Sequence, residues 1–251
     1  MAPPDSEGKF TYRVNMDPKV EVTPRYNVLR HAGTIYSMTD YYTWKKDENV
    51  LDAMTRALGF LRWNALGPVP GEHGLMAIWS PEELTQRKKR RPIEAKLGGT
   101  GLGLVAVTGV ERIEPGIFSM NELKQLGKFL LFMQKPDGSF YSKYISGKGG
   151  RDDSWMSLYY PGEAALGLIM LYELDGSTAW LNAALRALGY LASMREGQEE
   201  VEPDHWALIA TGKLLGHYEK TDKSVPKASI EKHALQIVSH IMKTRPRISQ
   251  T

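Results

Sequence analysis

The sequence predicts an all-α fold of repeated antiparallel helical hairpins, about four of them, with short β or loop insertions. Three observations carry that reading. First, a helical segment occurs twice: Leu51-Asp-Ala-Met-Thr-Arg-Ala-Leu-Gly-Phe-Leu61 returns 130 residues later as Leu181-Asn-Ala-Ala-Leu-Arg-Ala-Leu-Gly-Tyr-Leu191, with seven of eleven positions identical. Second, each copy follows another helical stretch and a short polar turn, Lys45 to Glu48 or Asp175 to Ser177, which is the pattern of an αα-hairpin. Third, 251 residues that are 42% hydrophobic and 24% charged can bury a sizeable core, which excludes a disordered or disulfide-stapled chain.

The elements follow in order. Residues 1–25 are expected as an N-terminal extended segment, with Phe10, Tyr12, Val14, Val20 and Val22 alternating like a short strand or hairpin. Residues 26–251 read as one hairpin-repeat domain. Its first helices are expected over 26–44, 98–110, 161–174 and 204–219. Their partners are the two echo segments, then 119–133 with Leu126, Gly127 and Leu130, and 229–242 with Ile230, Ala234, Ile237, Val238 and Ile241 on one face. Gly and Ala crowd the first helix of each pair, which suits an inner ring packed on all sides. Gly59 and Gly189 are expected to meet a neighbouring helix at close range, and Tyr41, Tyr42 and Trp44 to be core. Residues 67–96 and 135–158 interrupt the pattern, and the first contains the basic block Arg87-Lys-Lys-Arg-Arg91, read as a solvated loop.

Several classes are excluded or disfavoured. There are no cysteines, hence no disulfide, thiolate nucleophile or cysteine-based zinc site. A net charge of +3 makes no case for a nucleic-acid partner, and no apolar run reaches the roughly 20 residues of a membrane span. Met1 to Lys9 is not a signal peptide, so the expectation is a cytoplasmic protein, or an exported one whose leader lies outside this sequence. No metal or cofactor is expected, because phosphate-loop and His-Glu-x-x-His patterns are missing. Gly98-Gly-Thr-Gly-Leu-Gly103 spells a dinucleotide fingerprint, but without a strand-helix-strand unit it reads as helix packing.

Tyr159-Tyr160-Pro161-Gly162-Glu163-Ala164, Trp180-Leu181 through Leu191, Arg30-His31-Ala32-Gly33-Thr34 and Asp204-His205-Trp206 resemble helix pairs of the α/α-toroid, six-hairpin glycosidase-like superfamily. That resemblance implies a toroid and a carbohydrate ligand. Glycoside hydrolases, polysaccharide lyases, sugar epimerases and non-enzymatic members share the fold, so it does not select the reaction. Four hairpins in place of six imply an open ring. Val28, Ile35 and Met38 on one side, with Leu208, Leu215 and Ile237 on the other, would then form an apolar seam covered by further helices beyond Thr251 or by a second copy. Gln134 to Phe140 is similar to a turn repeated in terpenoid cyclases, although Asp152-Asp153-Ser-Trp is a poor match to their Asp-rich motif.

Parallel inner helices would open all their N-termini on one face, where Arg25 and Asn27 also fall. Four carboxyl groups there, Asp152, Asp153, Glu163 and Asp204, are the candidate catalytic residues, since glycoside hydrolysis needs one protonated and one ionised carboxyl. Arg30, His31, Trp155, Tyr159, Tyr160, His205 and Trp206 are the candidate substrate-binding residues: rings stack on apolar sugar faces and polar groups take hydroxyls. The expected function is hydrolysis of a poly- or oligosaccharide. The alternatives are a lyase or epimerase using His or Tyr with Arg, or a non-catalytic glycan- or protein-binding toroid. Structural roles compete at single positions: a helix cap for Asp204, helix-start chemistry for Pro161 and Glu163, a core histidine at His31.

Overall fold

The computed structural model describes residues 4–22, 26–85, 93–147 and 150–244, so Arg25 and the Arg87–Arg91 block lie outside the described residues. The chain starts its first hairpin with α1 (Val28–Lys45) and α2 (Glu48–Ala65), then runs through β1 (Leu66–Pro68), β2 (Met76–Ser80), the one-turn α3 (Glu82–Thr85) and β3 (Glu94–Lys96). The second hairpin is α4 (Leu97–Glu111) with α5 (Met120–Met133), followed by β4 (Lys143–Ile145) and β5 (Gly150–Asp152). The third is α6 (Tyr160–Asp175) with α7 (Thr178–Met194), and the fourth is α8 (His205–Leu215) with α9 (Lys227–Thr244), joined by a 3-10 turn at Tyr218–Lys220.

Local chemistry sets these boundaries. Asn27 caps α1 by accepting from the amides of Leu29 and Arg30, and Ser119 with Glu122 forms a reciprocal capping box on α5. Pro161 lies in the first turn of α6, and Gly176, at φ 74°, ends that helix in the left-handed region.

The first helices of the hairpins, α1, α4, α6 and α8, pack side by side in that order, each backed by its partner. Every residue of α4 is buried, and α6 is buried from Tyr160 through Leu171. Such helices need close neighbours on all sides, and glycine supplies the approach. A Cβ on Gly101 would lie 2.8 Å from the Ala164 amide nitrogen, and one on Gly167 would lie 2.8 Å from the Gly101 carbonyl oxygen. The Gly98–Gly103 run is therefore a helix-packing face, as the sequence suggests. At the far end of the ring Glu173 of α6 accepts from Arg112, which follows α4 as its C-cap, from Lys213 of α8 at 3.2 Å and from His217 at 2.9 Å. Although burial opposes it, those three partners hold the Glu173 carboxyl below its ordinary range.

The two long insertions build one sheet. All five strands are antiparallel in the order β1-β2-β3-β4-β5, and Ala95 of β3 faces Tyr144 of β4. The Gln134–Phe140 turn is docked on the third hairpin, where the Gln134 side-chain amide donates to the Ala183 carbonyl at 2.9 Å.

Some expectations are corrected. Residues 8–22 contain no strand; Phe10 is buried and its amide donates to the Tyr26 hydroxyl at 3.1 Å, so this segment is loop pinned by single contacts. Gly189 meets Val225 of the loop before α9, whereas nothing lies within 4 Å of a Cβ on Gly59. The two outer helices share a place in the hairpin without sharing an outer neighbour. Tyr42 is buried, but Tyr41 and Trp44 are 43% and 74% exposed, because they point off the outer side of α1. The residues expected at the seam are also covered. Val28, Ile35 and Ile237 are buried and Met38, Leu208 and Leu215 half-buried. The rings of Tyr36 on α1 and Trp206 on α8 approach to 6.1 Å, so the first and last inner helices meet through side chains. Exposed large apolar groups are spread over the surface, and those of the last hairpin are Ile209, Leu235, Val238 and Met242.

Candidate active site

Glu163 is in the first turn of α6, its amide bonded to the Tyr159 carbonyl at 2.9 Å. Its side chain runs to the start of α4, where Gly98 leaves room: a Cβ there would collide with both the Glu163 carboxyl and the Tyr160 ring. The residue is 4% exposed and its Oε2 has no hydrogen-bond partner among the described residues. Burial, reinforced by the nearby charge of Asp204, pushes the Glu163 carboxyl up to about 8. At neutral pH this is a carboxylic acid that retains its proton.

Asp152 and Asp153 leave the end of β5 toward α6. Asp152 accepts from the Ser154 hydroxyl at 2.7 Å, and Asp153 is ion-paired with Lys135. The Lys135 ammonium, by its hydrogen bond and its charge, holds the Asp153 carboxyl below its ordinary range. Trp155 follows, 59% exposed, with its ring edge-on to Tyr160 at 5.8 Å. Contact thus runs from Trp155 through Tyr160 to the Gly98 gap that holds Glu163, with the aspartate pair just before Trp155 in the chain.

A second run of rings crosses from α6 to α1. Tyr159 meets His205 at 5.0 Å, His205 meets Trp206 at 5.2 Å, and Trp206 meets Tyr36 at 6.1 Å. His205 is exposed, and Tyr159, Trp206 and Tyr36 are half-buried, which leaves ring faces for a ligand. Tyr36 was missed by sequence reasoning because it lies two turns into α1, away from any helix start.

Three candidates take other roles. Asp204 is fully buried: Oδ1 accepts from the Ala207 amide at 3.0 Å and Oδ2 from Arg195 at 3.1 Å, so it is the cap of α8 and an ion-pair partner rather than a rim carboxylate. His31 is 3% exposed, with Nδ1 2.6 Å from the Tyr26 hydroxyl and Nε2 2.8 Å from the Ala57 carbonyl. Burial lowers its pKa to about 4, so it is a neutral core histidine joining α1 to α2. Arg30 is exposed, but its guanidinium lies over Tyr12 at 5.7 Å, with the N-terminal segment. No group of three or more His, Asp or Glu suited to a metal ion occurs among the described residues, and no helix there is long and apolar enough to cross a membrane.

No family model matches the chain, and no curated protein matches it in sequence. Solved structures do match in shape. A glycoside hydrolase family 76 α-mannanase from Bacteroides thetaiotaomicron is 12% identical over 90% of this chain and 60% of its own, with a TM-score of 0.66. A Salegentibacter α-1,6-mannanase of the same family, an inactive variant with two adjacent aspartates replaced and in complex with α-1,6-mannotetrose, is 11% identical over 91% of this chain and 67% of its own, with a TM-score of 0.63. A cellobiose 2-epimerase from Bacillus thermoamylovorans is 12% identical over 89% of this chain and 63% of its own, with a TM-score of 0.65. The chain thus spans about 60 to 67% of the length of these neighbours. Sequence pattern, helix order and these likenesses converge: the chain has the α/α-toroid fold of these neighbours, with four hairpins among its described residues.

Proposed function

We propose that this chain is a carbohydrate-active enzyme that hydrolyses a glycosidic bond of a poly- or oligosaccharide at the rim where its inner helices begin. One observation carries the reading: two carboxyl groups near that rim are driven in opposite directions, Glu163 toward retaining its proton and Asp153 toward losing it. Environments that split two carboxyl groups in this way divide them into acid and base. Glu163 would protonate the leaving glycosidic oxygen. The Asp152–Asp153 pair would supply the ionised carboxylate, attacking the anomeric carbon directly or activating a water, as their separation from Glu163 dictates. Trp155, Tyr159, Tyr160, His205 and Trp206 would hold the sugar rings. The mannanase described as inactive after replacement of two adjacent aspartates supports the assignment of the adjacent pair here.

A second reading, epimerisation or β-elimination, is favoured by one contact, the exposed His205 ring against Tyr159 at 5.0 Å. A histidine and a tyrosine so placed could move a proton on a sugar carbon. Incubation with α-mannan, uronate-containing oligosaccharides and cellobiose separates the outcomes. New reducing ends support hydrolysis, absorbance from an unsaturated product supports elimination, and an inverted hydroxyl supports epimerisation. Binding to any of the three without product leaves the non-catalytic toroid, and neither binding nor turnover removes the carbohydrate assignment for these glycans.

The exposed α9 residues Leu235, Val238 and Met242, spaced on one side of that helix, support a further part of the proposal, that additional helices or a second copy cover the last hairpin. Light scattering at micromolar concentration should then report a dimer of this chain. A monodisperse monomer removes the second copy as the cover.

A further inference from the structure

Between the C-terminal half of α7 and the first turns of α9 lies a cleft of about 370 Å³ that shares no lining residue with the rim. Ser193 of α7, Ser224 of the connecting loop, and Ser229 and Lys232 of α9 line it, with His233 among the lining residues. His233 is 1% exposed and its Nε2 lies 3.0 Å from Nη1 of Arg195. A guanidinium only donates, so Nε2 must accept, and the ring proton is therefore on Nδ1. That Nδ1–H has no acceptor among the described residues. The imidazole is neutral, since burial, with the nearby charge of Arg195, lowers its pKa to about 4.

The cleft is therefore rich in donors: a buried N–H without an acceptor, three hydroxyls, the Lys232 ammonium and the amide-rich start of an eighteen-residue helix. Its one acidic lining residue, Glu196, is 3.5 Å from Lys232 and so partly neutralised by it, and Arg195 stands behind His233, paired with Asp204. A volume of this size holds a ligand of monosaccharide dimensions. We propose that this cleft binds a small molecule through an oxyanion, a carboxylate or phosphate group, which accepts from His233 Nδ1–H and pairs with Lys232. This proposal does not depend on the hydrolase reading, because no residue of the rim takes part.

Titration of the full chain with inorganic phosphate and, separately, with glucuronate, followed by amide and imidazole resonances, tests it. Saturable shifts at Ala228, Ser229 and His233 are expected with at least one probe. Phosphate alone would indicate a phosphorylated ligand and glucuronate alone an acid sugar. Lys232→Met removes the charge and should weaken binding about tenfold, the scale of one charge-assisted contact. Ala228→Trp fills the mouth from an exposed position and should abolish it. Both variants leave the Arg195–Asp204 pair untouched, so both should fold. Absence of a saturable response to either probe, binding unaltered by both variants, or equal binding of neutral glucose would overturn the proposal.

Discussion

Glu163→Gln should reduce glycan turnover about 100- to 10,000-fold, the range a positioned acid contributes, while the protein stays folded. Glutamine keeps the shape in the Gly98 gap and cannot give up a proton to the leaving oxygen. The wild-type rate should fall as pH rises through about 8, where Glu163 ionises. The same substitution has a stability signature that does not require substrate. In the unfolded chain the carboxyl ionises near its ordinary value of 4.5, but in the folded chain only near 8. Between those values the folded state binds the extra proton, so stability falls as pH rises across the window. A shift of this size corresponds to a few kcal/mol, on the order of 3 to 5. Glu163→Gln should remove that slope and leave the variant more stable than wild type at pH 8 in chemical denaturation. Retained turnover together with an unchanged slope would mean that the carboxyl is ionised packing material, and the acid role would go with it.

Arg195→Met should destabilise the fold by about 3–5 kcal/mol, the usual consequence of removing one partner from a buried ion pair. Asp204 is fully buried, and the Arg195 side chain is 10% exposed, so the abandoned carboxylate gains no hydration. Burial already raises the pKa of Asp204 against the opposing pull of its Ala207 cap bond and Arg195. Without the guanidinium that rise becomes larger, and the variant should recover relative to wild type as falling pH protonates Asp204. Comparison at each pH is essential, because His31 and His233 remain neutral in the fold down to about 4. Both therefore withdraw stability from the wild type as pH falls from 6.5 toward 4. Adding Asp204→Asn to Arg195→Met should restore most of the loss, since asparagine still caps a helix but carries no charge. A double variant as unstable as the single one would place the effect in lost packing of the arginine stem.

Helix order and hairpin pairing were legible in the sequence because two signals reinforce each other there: a 3.6-residue apolar period and a literal repeat of Leu51–Leu61 in Leu181–Leu191. The long insertions were recognisable as interruptions. Their joining into one sheet was not, since β3 and β4 are three residues each and pair across the whole of the intervening second hairpin. The site was legible by residue type and poorly by burial. Glu163, Asp204 and His31 all fall near helix starts in the sequence. Only packing separates the acid held against Gly98 from the carboxylate spent on a cap and on Arg195, and from the histidine whose two nitrogens are both taken. Glycine is likewise ambiguous: Gly101 and Gly59 each lie within a helix, yet one touches the backbone of α6 and the other faces open space.

The β3–β4 ladder has a topological meaning. β3 leads directly into α4, β4 follows α5, and the two strands hydrogen-bond through Glu94↔Ile145, Ala95↔Tyr144 and Lys96↔Lys143. The Leu97 amide extends that seal to the Ser142 carbonyl at 2.9 Å. The second hairpin is consequently a loop of chain pinned shut at its neck, unlike a hairpin that simply leans on its neighbours. Opening it requires the strand ladder to part as well as the helices to separate, which couples two short, individually weak strands to the most deeply buried helix of the molecule. A perturbation at the sheet would then be felt at Gly98, at the mouth of α4, before it reached either terminus.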